Sequence, residues 1–175
     1  MKLGFVSTAQ HGQHFNLAKF AIKKLRKVNL ALKGKSEKEF EQAVVSFLQS
    51  SKQLRNNLIT QVGTDEVEKI TQASLFGFSH RPDASIGKDG TAIEIKVVTG
   101  GQSARDILGQ SIAYRMHYRF VILVLVDGTE DRHIVELCKN KRTREHSLFA
   151  GLAKTMNIFS IIGPAGPSKN ISFTP

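Results

Sequence analysis

The stretch RPDASIGKDGTAIEIKVV, residues 81–98, decides how this chain is read. Two β-prone runs, Ala84 to Ile86 and Thr91 to Val98, flank Gly87-Lys88-Asp89-Gly90, whose glycines and aspartate mark a hairpin turn. If Ile86 faces Thr91 across that turn, the same register sets Asp83 opposite Glu94. Alternation along the second strand puts Glu94 and Lys96 on one face and Ile93, Ile95 and Val97 on the other, where they can enter a core. Two carboxylates that face each other repel, and each unit of pKa displacement corresponds to about 1.4 kcal/mol. A divalent cation offsets that repulsion directly, because carboxylate and carbonyl oxygens are the ligands Mg²⁺ prefers; Lys96 adds a positive charge on the same face. The plainer alternative is a solvent-facing salt-bridge cluster of Asp83, Glu94 and Lys96.

Working outward, the segment before the hairpin is helical. Phe15, Ala18, Ile22 and Leu25 recur at helical spacing, with Val28 and Leu32 extending the stripe, so a first helix spans about residues 14–32. Ser36 followed by Glu39 is a capping box for a second helix, whose apolar positions are Phe40, Val44, Phe47 and Leu48. Short strands are expected near residues 57–62 and 70–80. After the hairpin, Ser103 is expected to cap a third helix with Ile107, Leu108, Ile112 and Ala113 inward. The near-continuous apolar run Phe120 to Val126 implies a strand buried on both faces in the middle of a sheet. One helix over about residues 136–156 and a last strand over 157–162 complete the order. The pattern α-α-β-β-β-α-β-α-β indicates an α/β (α+β) domain, a mixed central sheet covered by helices.

The 175 residues carry 25 Lys and Arg against 15 Asp and Glu, a net charge of +10, and one cysteine. A single Cys138 excludes an internal disulfide and a Cys-based zinc site, which favours a reducing compartment. No apolar run approaches the roughly 18 residues that span a bilayer, so no membrane association is expected. The opening MKLGFVSTAQHGQH lacks the apolar core of a signal peptide, and a cytoplasmic location follows as the expectation. Divided along the chain, residues 1–36 hold eight basic and no acidic side chains, 37–100 have a net charge of −2, and 101–175 a net charge of +4. Basic flanks of this kind favour a polyanionic partner.

Pro82-Asp83 followed eleven positions later by Glu94-Ile95-Lys96 resembles the PD-(D/E)XK nuclease superfamily. The core of that superfamily is a helix, a three-stranded meander, a helix and a further strand, and this sequence supplies those elements in that order. Gln110-Ser111-Ile112-Ala113-Tyr114 is similar to the Q-x-x-x-Y motif of one branch; at i and i+4, Gln110 and Tyr114 share a helix face. The resemblance implies a restriction endonuclease-like domain over residues 36–162, and leaves outside it a basic N-terminal helical extension over 1–35 and an irregular tail over 163–175. It further implies a Mg²⁺-dependent DNA endonuclease, with Mn²⁺ as a substitute, serving restriction, recombination, repair or a mobile element.

In that resemblance Asp83, Glu94 and the Ile95 carbonyl hold the metal, completed by Glu41 or, one turn earlier, Glu37. Lys96 orients the attacking water or stabilises transition-state charge. Gln110 contacts a phosphate or the metal's water shell, and Tyr114 the sugar-phosphate backbone or a base. Lys19, Lys23, Arg26 and Lys27 on the first helix, Arg81, and the cluster Lys139, Lys141, Arg142 and Arg144 are candidate phosphate contacts; solvated helix faces are the plainer account of each. Double-strand cleavage by a chain this small implies a homodimer. His133, Asn140 and His146 have the residue types of an HNH site, but their segment reads as a basic helix. A protein that keeps the fold as a non-catalytic nucleic-acid-binding module is the alternative.

Overall fold

In the computed structural model, described over residues 7–28, 36–61, 70–129, 133–163 and 174, one mixed sheet separates two apolar layers. The helices are α1 (Gly12–Leu25), α2 (Glu37–Gln49), α3 (Lys52–Arg55), α4 (Gly101–Arg115), α5 (His133–Lys139) and α6 (Arg144–Met156). The strands are β1 (Leu58–Thr60), β2 (Ala73–Leu75), β3 (Phe78–His80), β4 (Ala84–Ile86), β5 (Thr91–Val98), β6 (Phe120–Asp127) and β7 (Ile158–Gly163). The central sheet has the order β1-β4-β5-β6-β7. β1 with β4 and β4 with β5 pair antiparallel, whereas β5 with β6 and β6 with β7 pair parallel. Parallel neighbours need crossovers, and α4 supplies the first while α5 and α6 supply the second.

The hairpin register is the expected one: Ile86 pairs with Thr91 and Ala84 with Ile93. Gly90 is required by a close approach, since a Cβ there would stand 2.3 Å from the Ile86 carbonyl oxygen. β6 is buried along its whole length between β5 and β7, as its unbroken apolar run implies. Its period of two feeds both layers. Ile122, Val124 and Val126 join Ile93, Ile95, Phe40, Val44 and Leu25 on the α1–α2 side, whereas Val121, Leu123 and Leu125 join Ala92, Ile107 and Phe149 on the α4–α6 side. Ala21 and Leu25, with Val28 just beyond the helix end, place α1 in the first of these layers, in one core with α2.

Several expectations are corrected. Residues 70–80 are not one strand but a hairpin, β2 and β3, forming a separate two-stranded sheet turned at Phe76-Gly77. The helix expected over 136–156 is two. Asn140 accepts from Arg142 N through its side chain, and Thr143 caps α6 by accepting from His146 N while its hydroxyl donates to the Leu137 carbonyl. Gly100, not Ser103, is the cap of α4; the Ser103 hydroxyl reaches back from the first turn to Gly100 N and Thr99 N. On α4, Ile112 faces solvent, and Ser111 and Arg115 take buried positions instead. α1 ends at Leu25, and residues 29–32 of the longer helix expected there lie outside the described residues, as does most of the 163–175 tail. No helix among the described residues is long and apolar enough to cross a membrane.

Candidate active site

β4 pairs with β5 only as far as Ala84 and Ile93, so the next outward backbone groups of β5 lose their strand partner. Carboxylates take that place. Asp83 Oδ2 accepts from Ile95 N at 2.7 Å, and Glu37 Oε2 from Val97 N at 3.1 Å. Because the N–H and C=O of one residue point to the same side of a strand, the Ile95 carbonyl faces this edge too. The Pro82-Asp83 segment is fixed by Gln61, whose amide donates to the Pro82 carbonyl at 2.9 Å and whose backbone N–H donates to the Asp83 carbonyl at 3.2 Å.

Glu94 and Lys96 share the parity of Ala92 and Val98, which belong to the layer under α4. Glu94 is buried, and the Tyr114 hydroxyl donates to its Oε2 at 3.0 Å. Burial pushes the Glu94 carboxyl above the ordinary carboxylate range, and the charge of Asp83 pushes it further; the Tyr114 hydroxyl and Lys96 act in the opposite sense. Asp83 is likewise raised, first by burial and then by Glu41 and Glu37, against the Ile95 N–H and Lys96. The charge of Asp83 thus acts on Glu94, although the ladder itself ends one pair short of them, at Ala84 and Ile93. Burial and the neighbouring Glu94 charge push the Tyr114 hydroxyl far above its ordinary value, so it stays protonated and donates.

Lys96 reaches Glu37 Oε1 at 2.7 Å, and this hydrogen bond is the first reason its ammonium is held above the usual lysine range. Glu41 lies one turn along α2, its carboxyl raised by burial and then by Glu37. Of the two glutamates weighed for this position, Glu37 engages Lys96, and Glu41 exerts the larger repulsion on Asp83. Gln110 and Lys96 line one groove together with His80 and Arg105, two residues the sequence did not single out. Tyr114 is only 1% exposed, so its role changes: it orients Glu94 rather than touching a sugar or base.

The basic candidates are spread more widely. Lys19, Lys23, Arg26 and Lys27 are exposed along and just beyond α1, and Lys139, Lys141, Arg142 and Arg144 are exposed around the α5–α6 junction. Lys139 bonds Glu136 at 3.3 Å. Arg81 is exposed beside the site. His146 Nδ1 bonds the Cys138 carbonyl at 2.7 Å, and Asn140 is used in the turn, so these two of the three HNH residue types serve the backbone. Asp127, buried at the end of β6, accepts from Thr129 N and Val135 N and closes the loop into α5.

Among the described residues, no three or more His, Cys, Asp or Glu side chains are gathered into a ready metal cage. The donor chemistry nevertheless suits a hard cation: two desolvated, mutually repelling carboxyls and an edge carbonyl, with the nearest ammonium already taken by Glu37. Comparisons of the chain with protein-family models, with curated proteins and with solved structures returned no match.

Proposed function

We propose that this protein is a divalent-metal-dependent nuclease of the PD-(D/E)XK type that hydrolyses phosphodiester bonds in DNA. One observation carries the reading: at the open edge of β5 the Ile95 N–H holds Asp83, the Tyr114 hydroxyl holds the buried Glu94, and Lys96 stands on the same strand, with burial raising both carboxyls. Ordinary surface ion pairs do not set a half-buried carboxyl near a buried one, because an uncompensated buried charge is costly. The order of elements supports the same reading. α2 precedes an antiparallel β1-β4-β5 meander, α4 crosses over, and β6 follows beside β5, with β2 and β3 inserted between β1 and β4.

Asp83, Glu94 and the Ile95 carbonyl would hold Mg²⁺, with Glu41 and Glu37 close by. When bound, that ion lowers the pKa of water and neutralises charge on the scissile phosphate. Tyr114 holds Glu94 in orientation, and the Ile95 N–H does the same for Asp83. The Lys96 ammonium, on exchanging Glu37 for substrate, stabilises charge on the phosphate, and Gln110 across the groove contacts a phosphate oxygen.

Plasmid, linear, single-stranded and branched DNA, each with Mg²⁺ or Mn²⁺, provide the test. The expected outcome is metal-dependent cleavage that falls about 100-fold or more in Asp83→Ala and in Lys96→Ala. The Lys96–Glu37 ion pair favours the second reading, a non-cleaving nucleic-acid-binding module, since it occupies the ammonium. Binding without cleavage of every substrate would establish that module instead.

A further inference from the structure

The hairpin of β2 and β3 ends in an arrangement that the fold alone does not require. Leu75 pairs with Phe78, leaving Phe76-Gly77 as a two-residue turn in which both residues have positive φ, 53° and 82°. Such a turn favours Asn or Asp before the glycine, because a Cβ with a bulky ring is strained in the left-handed region. Phe76 accepts that strain and gains no burial from it: its ring is 89% exposed, and that of Phe78 is 70% exposed. These are the two most exposed large apolar side chains among the described residues. The root of the hairpin is held firmly, with Ala73 in the apolar layer, Ser74 N donating to His117 Nε2 at 3.3 Å and the Tyr118 hydroxyl donating to the Thr71 carbonyl at 2.7 Å.

The two rings share a groove with Lys96 and Gln110 of the candidate active site, and with His80 and Arg105. The one acid on that wall, Asp106, is bonded by Gln102 at 2.7 Å. A strained, fixed pair of aromatic faces beside lysine and arginine matches the chemistry of a polynucleotide whose bases are unstacked: the rings take base faces, and the cations take phosphates. In a fully paired duplex the base faces are already covered by stacking.

We propose that the Phe76 and Phe78 rings form a stacking platform for unpaired bases, so that the groove selects single-stranded or forked nucleic acid over continuous duplex. The phosphodiester-cleaving reading supplies the reason why such a strand would be drawn to Lys96, and the inference deepens that reading by naming the substrate class.

Binding is measured with the full chain in EDTA, so that cleavage plays no part. The probes are a single strand carrying 2-aminopurine, a forked duplex with the same label in its unpaired arm, and a fully paired duplex. The wild type is expected to change the label's fluorescence and to bind the unpaired probes at least about 10-fold more tightly than duplex. Phe76→Ala/Phe78→Ala is expected to lose about 10-fold or more on the unpaired probes and to stay within about twofold on duplex, given the usual effect of removing a stacking aromatic. Phe76→Asn is the decisive single change: Asn fits the left-handed position, so the thermal midpoint rises while binding to unpaired bases falls. Phe78→Trp retains the preference.

Equal affinity for all three probes, or a double variant that binds as the wild type does, would overturn the proposal. So would a double variant that changes only the oligomeric state, which would assign the rings to a second copy of the chain. Asp83→Ala is carried alongside. If it and the wild type both bind unpaired strands preferentially in EDTA and neither cleaves any probe once Mg²⁺ or Mn²⁺ is supplied, the nuclease reading fails and the platform stands. If duplex is cut and the hairpin variants cut it equally well, the platform fails and the nuclease stands.

Discussion

At the residue scale, the balance between Asp83 and Glu94 has a thermodynamic signature that needs no substrate. Both carboxyls are raised above their ordinary range chiefly by burial, so between about pH 4, where carboxyls of an unfolded chain ionise, and the raised values of the folded pair, the native state binds more protons than the unfolded state. Stability of the metal-free protein is therefore fully supported at low pH by this pair and declines as pH rises through that window. Denaturant unfolding in EDTA from pH 5 to pH 8 is expected to show the decline. Asp83→Asn and Glu94→Gln, each removing one charge of the pair, are expected to flatten it and to be more stable than the wild type at pH 8 by about 1–3 kcal/mol. On the nuclease reading both lose activity, and Mg²⁺ raises the wild-type thermal midpoint more at pH 8 than at pH 5, because protons compete for its ligands. A wild-type stability that climbs steadily from pH 5 to pH 8 would refute the buried repelling pair. The pair itself was legible in the sequence, because a two-residue period and a short turn leave one register. The task of Tyr114 was not: an i, i+4 spacing says that Gln110 and Tyr114 share a helix face, not that the lower one will be shut against β5 while Gln110 stays in the groove.

At the scale of elements, α2 is the part whose local chemistry reaches the site. Ser36 and Glu39 close a reciprocal capping box, with Ser36 N donating to Glu39 Oε2 at 2.6 Å and Glu39 N donating to Ser36 Oγ at 3.4 Å. The first residue inside that cap is Glu37, which holds Lys96 and the Val97 N–H. Ser36→Ala is expected to cost about 1 kcal/mol, read as a lower denaturant midpoint with an unchanged slope. The capping box was visible as Ser36 and Glu39 three apart. The breaks that the sequence concealed were those made by side chains far from Gly or Pro: Thr143 and Asn140 divide α5 from α6 inside a stretch whose helical propensity is continuous. The β2–β3 hairpin was hidden for a related reason, because Phe76 takes a backbone conformation that its residue type disfavours.

At the scale of the whole molecule, the basic excess is divided between the two sides of the sheet. The exposed Lys19, Lys23, Arg26 and Lys27 belong to the side of α1, whose helix carries no acid. Lys139, Lys141, Arg142 and Arg144 belong to the side of α5 and α6, where Glu136 and Glu145 are interspersed and Glu136 already holds Lys139. The sequence already separates the clusters by their acids, since residues 1–36 hold none; the structure adds that Glu136 pairs with Lys139. Replacing Lys19, Lys23, Arg26 and Lys27 together by Ala is expected to reduce the slope of log K against log salt more than replacing Lys139, Lys141, Arg142 and Arg144, each lost phosphate contact removing about 0.9 of slope. The slopes come from titrations of the same forked DNA in EDTA at several salt concentrations. If the second set reduces the slope more, phosphate recognition lies on the α5–α6 side; if neither set changes it, the flanks are solvated faces, and the DNA-binding reading must rest on Lys96, Arg105 and Arg81 alone.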